Sequence, residues 1–310
     1  MVEFVPLWIF DFLGLCRTVA DPAIFIVATP IGNLDDMTPR ALATLRHVDL
    51  IAAEDTRNTR KLLTHFGING KELISYHDHV EVTRSEQLVE RLKAHGLTLA
   101  LVSDAGTPCV ADPGYRLVNL AKKQGIKVHP VPGASALTSL ISASGLPSDR
   151  VMFVGFLPTK ESDLRREIQS WTVSRSSIVY FEPTRRLETS LSLIAEIHPN
   201  AEVSIGRELT KLYEEIETMP VAEAVEWVRN HSILKGEAVV MVHLGESSQS
   251  DAGEEMQSVA THVQQAARRG FAAGKSLKDL LKELGGLGLQ RSELYQMLLD
   301  IKQSLDASED

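Results

Sequence analysis

The sequence predicts an α/β fold, and three observations predict it. Short apolar or β-branched runs recur along the chain, windows of helical spacing separate most of them, and polar loops follow the runs directly. The runs are IFIVAT (24–29), DLIAAE (49–54), LALVSD (99–104), IKVHPVP (126–132), VMFVGF (151–156), SIVYFE (177–182), AEVSIGRE (201–208) and AVVMVHL (238–244). The clearest helical windows carry Leu88 and Leu92 ahead of His95-Gly96, and Leu187, Leu191 and Ile194 ahead of Pro199. Runs in the second half are longer and more mixed in polarity, which predicts a sheet that is partly antiparallel there.

The stretch Leu99 to Val118 shows why the loops matter. Four apolar residues lead straight into Ser103-Asp104-Ala105-Gly106-Thr107-Pro108, and a second Asp-Pro-Gly follows within a few residues. A continuous apolar run ending in Asp and Gly reads as a buried parallel strand whose carboxyl end opens into a loop. In open α/β sheets ligands bind at that end. This loop offers backbone N–H groups, a short carboxylate and a hydroxyl to something small and polar.

Composition bounds the remaining possibilities. The 310 residues are 44% hydrophobic and 24% charged, enough for two domains of ordinary size, roughly 100–200 residues each. A net charge of −9 argues against nucleic-acid binding through bulk positive charge, while leaving room for a local basic groove. The two cysteines, Cys16 and Cys109, are far apart and lack CxxC spacing, so a disulfide framework or zinc site has no support and a reducing cytoplasm fits. The apolar start MVEFVPLWIFDFLGLC is broken by Asp11 and falls short of the roughly 20 residues that span a bilayer. Residues 1–22 are therefore set apart from the fold as an extension, with no membrane partner expected.

The turn around Pro147-Ser148-Asp149 divides an N-terminal α/β domain (23–145) from a C-terminal one (146–245). The polar stretch 246–258 reads as a linker. A helical tail (259–310) follows, with helical patterns at Ser276–Leu284 and Arg291–Leu299 across Gly285-Gly286-Leu287-Gly288. Such a pair suits a helix-turn-helix or a small packing or dimerisation appendage.

Several familiar signatures are excluded. Gly270 to Ser276 has three residues between its glycines where a phosphate loop needs four, and no strand precedes it. GxGxxG, GxSxG and HExxH do not occur. Five polar loops remain: Ala28–Ala41, Ala52–Leu63, the SDAGTP loop, VPGASALTSL beginning at Val131, and Gly206–Glu215. Ser135 opens a helix, where it can cap or bond a ligand. Taken singly, Glu54 and Asp55 also suit a helix cap, and Arg57 with Arg60 a solvated face.

Together, VATPIGNLDDMTPRA, AAEDTRNTRKLL, SDAGTPCVADPG, VPGASALTSLISASGLP, FVGFLPTK, GRELTKLYEE and KGEAVVMV resemble the tetrapyrrole methylase superfamily. Within it they resemble the branch that 2'-O-methylates a cytidine of 16S ribosomal RNA in the small ribosomal subunit. The resemblance runs from about Ile24 to Leu244, and the tail is similar to that branch's C-terminal extension. It implies a two-domain α/β enzyme with a cofactor cleft between the domains, S-adenosylmethionine as cofactor, a homodimer and no metal. Pro30, Asp104, Ala105, Gly106, Thr107, Ser135 and Ala136 would hold the cofactor, completed by Tyr180 or Phe181. Candidates for catalysis are Glu54, Asp55, Glu208 and Lys211, with Arg57, Arg60 and Arg207 as substrate clamps. A desolvated Lys211 would serve as a base, although Glu208 and Glu214 nearby oppose that. Two departures from the branch stand out: Thr184-Arg185 replaces a Pro-His pair, and Val80 sits where a polar residue is common. The alternatives are a methylase of the same fold acting on a tetrapyrrole or other small substrate, and a non-catalytic ribosome assembly factor. Given the net acidity, naked RNA is expected to be a poor substrate.

Overall fold

The structure is a computed structural model that describes residues 21–173, 176–231 and 236–245, and in the tail 263–264, 266–271, 275–284 and 291–306. The expectations for residues 1–20, the linker and the Gly285–Gly288 turn lie outside the described residues.

The first half is a three-layer arrangement around a parallel sheet. Strands β1 (Ala23–Val27), β2 (Leu50–Ala53), β3 (Glu72–Ser75), β4 (Thr98–Val102) and β5 (Lys127–Val131) lie in the order β3-β2-β4-β1-β5, and every pairing is parallel. Side chains alternate between faces along each strand. Phe25, Val27, Ile51, Ala53, Ala100 and Val102 pack with Ala41 and Leu45 of α1 (Pro39–His47) and Leu63 of α2 (Thr56–His65). On the opposite face Ile24, Leu50, Ala52, Leu99 and Leu101 meet α3 (Glu81–His95) through Leu88 and Leu92, and α4 (Tyr115–Lys123) through Leu117 and Ala121. Both faces are covered, so the central strands read as unbroken apolar runs. Thr38 caps α1 by accepting the Ala41 N–H, and Gly96 ends α3 with φ +60°, the left-handed stop that glycine allows.

The chain then passes through α5 (Ala136–Ala143) to a second sheet. Strands β6 (Val151–Phe156), β7 (Ser177–Pro183), β8 (Glu202–Arg207), β9 (Glu215–Pro220) and β10 (Glu237–His243) take the order β6-β7-β10-β8-β9. Only β6–β7 is parallel; β7–β10, β10–β8 and β8–β9 are antiparallel. One face, through Val179, Val239, Met241 and Phe181, packs on α5 at Ala136, Leu137 and Leu140. Helices α6 (Glu161–Ser170), α7 (Leu187–Ile197) and α8 (Val221–Asn230) complete this half, and α7 packs against α8.

Apart from Ser170–Arg175, the described residues through His243 form one compact unit. The tail helices belong to a second unit, which has its own core. There Val263, Ala267 and Leu280 of α9 (Leu277–Leu284) pack with Leu294, Leu298 and Ile301 of α10 (Arg291–Asp306). No described helix is long and apolar enough to cross a membrane.

Candidate functional site

Loops at the carboxyl ends of β1, β4 and β5 are tied to one another before any ligand is considered. Thr29 and Gly106 exchange backbone hydrogen bonds of 2.8 and 3.0 Å, and the Thr29 hydroxyl donates to the Ser103 carbonyl at 3.2 Å. Gly106 sits at φ +82°, in the left-handed region that glycine adopts at little cost. Thr107 Oγ1 donates to the Ala134 carbonyl at 3.3 Å, linking the SDAGTP loop to the turn before α5. Ser135 is the N-cap of α5, yet its hydroxyl makes no capping bond.

These loops face the second sheet across a cleft of about 300 Å³. Ala105, Gly106, Thr107, Ser135 and Ala136 line one side. Phe156, Phe181, Glu208, Lys211 and Glu237 line the other. Lys211 Nζ donates to Glu208 Oε1 at 2.9 Å, so the ammonium is ion-paired rather than desolvated on its own. Tyr180 lies elsewhere: it is fully buried, and the two-residue period of β7 turns it to the face opposite Phe181. Of that pair, Phe181 is the cleft residue.

An adjoining cavity of about 450 Å³ shares Ile31 and Ala105 with the cleft. Pro30 and Asp104 line this second space, beside Asn58, Leu62 and His65 of α2. Asp104 acts as a clasp between loops. Its carboxylate accepts from the Asp55 N–H (3.2 Å) and from Asn58 Nδ2 (3.0 Å), while its own N–H donates to Glu54 Oε2 (3.2 Å).

The remaining predicted residues are placed around these two spaces. Glu54 and Asp55 line neither cavity. Burial pushes the Glu54 carboxyl above its ordinary range, aided by Asp104, Asp78 and Asp55 and opposed by the Asp104 N–H. Asp55 is the N-cap of α2 and accepts from the Arg57 N–H. The Arg57 guanidinium beside it, at 2.6 Å, holds its carboxyl down at about 2. Arg57 and Arg60 stand with Lys61 and His65 along an exposed depression on α2. Arg207 is paired with Glu215 across the β8–β9 hairpin at 2.5 Å and lines neither cavity.

The structure also brings in residues outside the predicted set. Asp112, from the second Asp-Pro-Gly, lines the cleft. Burial raises its carboxyl to about 6, with Glu54, Asp104 and Glu237 adding to the rise and a Ser103 hydrogen bond opposing it. Glu237 opens β10, and Phe156 follows a register shift in β6 where Gly155 has φ +69°. Asp112 is signalled in sequence only as turn chemistry, and Glu237 only as the residue before an apolar run. Among the described residues no group of His, Cys, Asp and Glu is arranged to hold a metal ion.

Comparison with known proteins agrees with this architecture. Residues 23–225 match the family Tetrapyrrole (Corrin/Porphyrin) Methylases. A ribosomal RNA small subunit methyltransferase I from Halalkalibacterium halodurans is 42% identical over 84% of this chain and 90% of its own length. Proteins of the same name from Escherichia coli O157:H7 (45% identical; 74% of this chain, 80% of the relative) and Mesorhizobium japonicum (38%; 92% and 94%) are similar. Among solved structures, the methyltransferase CobJ is 17% identical with a TM-score of 0.54, covering 72% of this chain and 94% of that one. The cobalt precorrin-4 methyltransferase CbiF is 16% identical with a TM-score of 0.53, covering 75% of this chain and 100% of that one. At such identities these two establish the fold alone. The chain thus belongs to the tetrapyrrole (corrin/porphyrin) methylase family of S-adenosylmethionine-dependent methyltransferases, alongside relatives named ribosomal RNA small subunit methyltransferase I.

Proposed function

We propose that this chain transfers the methyl group of S-adenosylmethionine to the ribose 2'-hydroxyl of a cytidine in 16S ribosomal RNA of the small subunit, working in the cytoplasm as a homodimer. The observation that carries the reading is the adjacency of the cleft, the second cavity and the basic face of α2, a continuity that would suit a path from methyl donor to polynucleotide. Domains 23–145 and 146–245 would each supply one wall.

The cleft suits the methyl donor chemically. Ile31, Phe156, Phe181 and Leu209 offer apolar surface, and the Thr107 and Ser135 side chains offer hydroxyls. Asp112, Glu208 and Glu237 outnumber Lys211 as charges in the lining, which favours a ligand with cationic groups. Ala105, Gly106, Thr107, Ser135, Ala136 and Phe181 would touch it directly. Pro30 and Asp104 would shape the loops from the adjoining cavity. When bound, it supplies a methyl group already activated by positive charge on sulfur. Positioning the acceptor hydroxyl in line then provides much of the rate, on the order of 7–11 kcal/mol in favourable cases. Arg57 and Arg60 would hold RNA phosphates as exposed cations, leaving Arg207 to brace the hairpin.

Calorimetric titration with S-adenosylmethionine, followed by methyl transfer to small subunits lacking native methylation, tests this reading. Saturable binding, weakened at least about tenfold in Asp104→Ala, with label on a cytidine 2'-oxygen, is the expected result. Binding without label on subunits would refute the RNA substrate, and efficient labelling of a short free oligonucleotide would refute the need for the subunit.

A further inference from the structure

We infer that Asp112 is a catalytic residue, the acceptor of the proton that leaves the ribose hydroxyl as it is methylated. The inference rests on the proposed transfer to RNA.

The turn that carries Asp112 is folded tightly on itself. Cys109 and Ala111 have φ of +70° and +61°, a left-handed conformation that is costly without glycine and persists only where surroundings enforce it. Gly114 has φ +140°, and a Cβ there would lie 2.5 Å from Cys109 Sγ and 2.7 Å from Leu101. Its N–H donates to Glu81 Oε1 at 3.0 Å, anchoring the turn to α3. Held in this way, Asp112 lines the cleft together with Thr107 and Ser135 and with Phe181, Lys211 and Glu237 of the second sheet.

Of the other acids near the cleft, all but the exposed Glu237 are committed elsewhere. Asp55 caps α2 and pairs with Arg57. Glu54 and Asp104 clasp the loops behind the cleft. Glu208 is paired with Lys211, and Glu237 lies exposed at the start of β10. The groups facing Asp112 are Ser103 and Asp104 from the end of β4, Glu54 from the end of β2, Glu237 from β10, and Cys109 in its own turn. The Ser103 hydroxyl, whose other acceptors are the Ala105 and Gly106 carbonyls at 3.4 and 3.5 Å, favours the carboxylate, whereas burial and the three acids favour its protonated form. A carboxyl at about 6 is ionised at neutral pH, yet it holds a proton better than an ordinary carboxylate, as a general base requires.

In the step assigned to it, the hydroxyl O–H bond breaks and its proton passes to the Asp112 carboxylate. The oxygen's electron pair forms the new O–CH3 bond. The pair of the breaking S–CH3 bond stays on sulfur, which becomes a neutral thioether.

The test compares wild type, Asp112→Asn and Ser103→Ala on small subunits, measuring kcat from pH 5 to 9 with calorimetric Kd for S-adenosylmethionine. At saturating S-adenosylmethionine, Asp112→Asn is expected to lower kcat about 10²–10⁴-fold and to lose the acid limb near pH 6, while its Kd for S-adenosylmethionine rises by no more than about tenfold, the loss of one of three lining carboxylates. Ser103→Ala keeps the carboxyl without its stabilising hydroxyl, so its limb moves to higher pH. A fall in kcat of less than about tenfold, an unmoved limb in Ser103→Ala, or loss of S-adenosylmethionine binding in Asp112→Asn overturns the assignment. Should Asp112→Asn not fold, the Ser103→Ala limb decides alone. Failure of wild type to label a 2'-oxygen refutes the RNA reading and this assignment with it; label from wild type with an unchanged Asp112→Asn refutes the assignment only.

Discussion

Gly32→Ala tests whether the loop after β1 and the loop after β8 form one rigid wall. A Cβ at Gly32 would lie 2.5 Å from Lys211 Cγ, 2.8 Å from the Leu209 carbonyl oxygen and 2.8 Å from Thr210 Oγ1. Lys211 can swing away, but the carbonyl belongs to a turn with little slack. Glu208 and Thr210 already sit at φ +48° and +65°, the Lys211 N–H donates to the Glu208 carbonyl, and the Thr210 N–H donates to Glu214 Oε2. Overpacking of this kind costs about 1–3 kcal/mol. Displacing the turn also breaks the Asn33 N–H bond to Thr210 Oγ1, 3.0 Å long, worth about 0.5–1.5 kcal/mol. The cost is the overpacking alone, about 1–3 kcal/mol, where the turn stays in place, and about 1.5–4.5 kcal/mol where it is displaced. If the turn stays in place, the loss appears as stability, at roughly 2–4 °C of Tm per kcal/mol for a chain of this size. If the turn moves, Glu208 and Lys211 leave the cleft wall, and affinity for S-adenosylmethionine falls by roughly 10²-fold. Thermal unfolding and calorimetric titration of one preparation read both. A variant within about 0.5 kcal/mol of wild type in stability and about threefold in affinity would refute the argument.

Glu182 is fully buried beside Arg186, whose Nε lies 3.3 Å from Oε1. Burial raises its carboxyl to about 7 against the opposing pull of Arg186. Because the folded state holds that proton more tightly than the unfolded chain does, the contribution of Glu182 to stability is fullest below about pH 4.5 and is lost as pH rises toward 7. Glu182→Gln should flatten that slope and raise stability above pH 7 by a few kcal/mol, read from denaturant midpoints between pH 5 and 8; an unchanged slope counts against it. Asp55→Asn keeps the cap of α2 and should leave kcat unchanged, while Asp55→Ala lowers Tm; a large fall in kcat for the Asn variant would return Asp55 to catalysis. Arg57→Ala and Arg60→Ala should each reduce the slope of log affinity against log salt for subunit binding by about 1, with S-adenosylmethionine affinity unaffected. An unaltered slope would remove the α2 face from the RNA path.

What the sequence discloses and what it hides follow from different physics. The central strands were legible because both faces of a parallel sheet are buried, so β1, β2 and β4 appear as continuous apolar runs. Strands β3 and β9 lie at sheet edges. Neither has a fully buried residue in its span, so Glu-Leu-Ile-Ser and Glu-Ile-Glu-Thr-Met-Pro carry no such run. The cleft loops were legible as polar segments after strands, but their partners were not. Asn33 and Thr210 meet across 177 residues, and no local pattern encodes that contact. Tyr180 and Phe181 differ only in which way β7 faces, and that is fixed by packing of the strand against α5. Asp55 and Asp112 show the same limit from opposite sides. At the opening of a helix, Asp55 carries a signal shared by caps and catalysts, and its short bond to the Arg57 N–H makes it a cap. Asp112 carries a turn signal, yet its turn reaches φ +70° and +61° at Cys109 and Ala111, residue types that give no warning of a left-handed backbone. Comparable conformations recur at Glu208 and Thr210 on the far wall. Left-handed backbone on both sides of one cleft, at positions where a glycine would have been the easy choice, persists only where the surrounding structure enforces it, and it becomes visible only in the folded backbone.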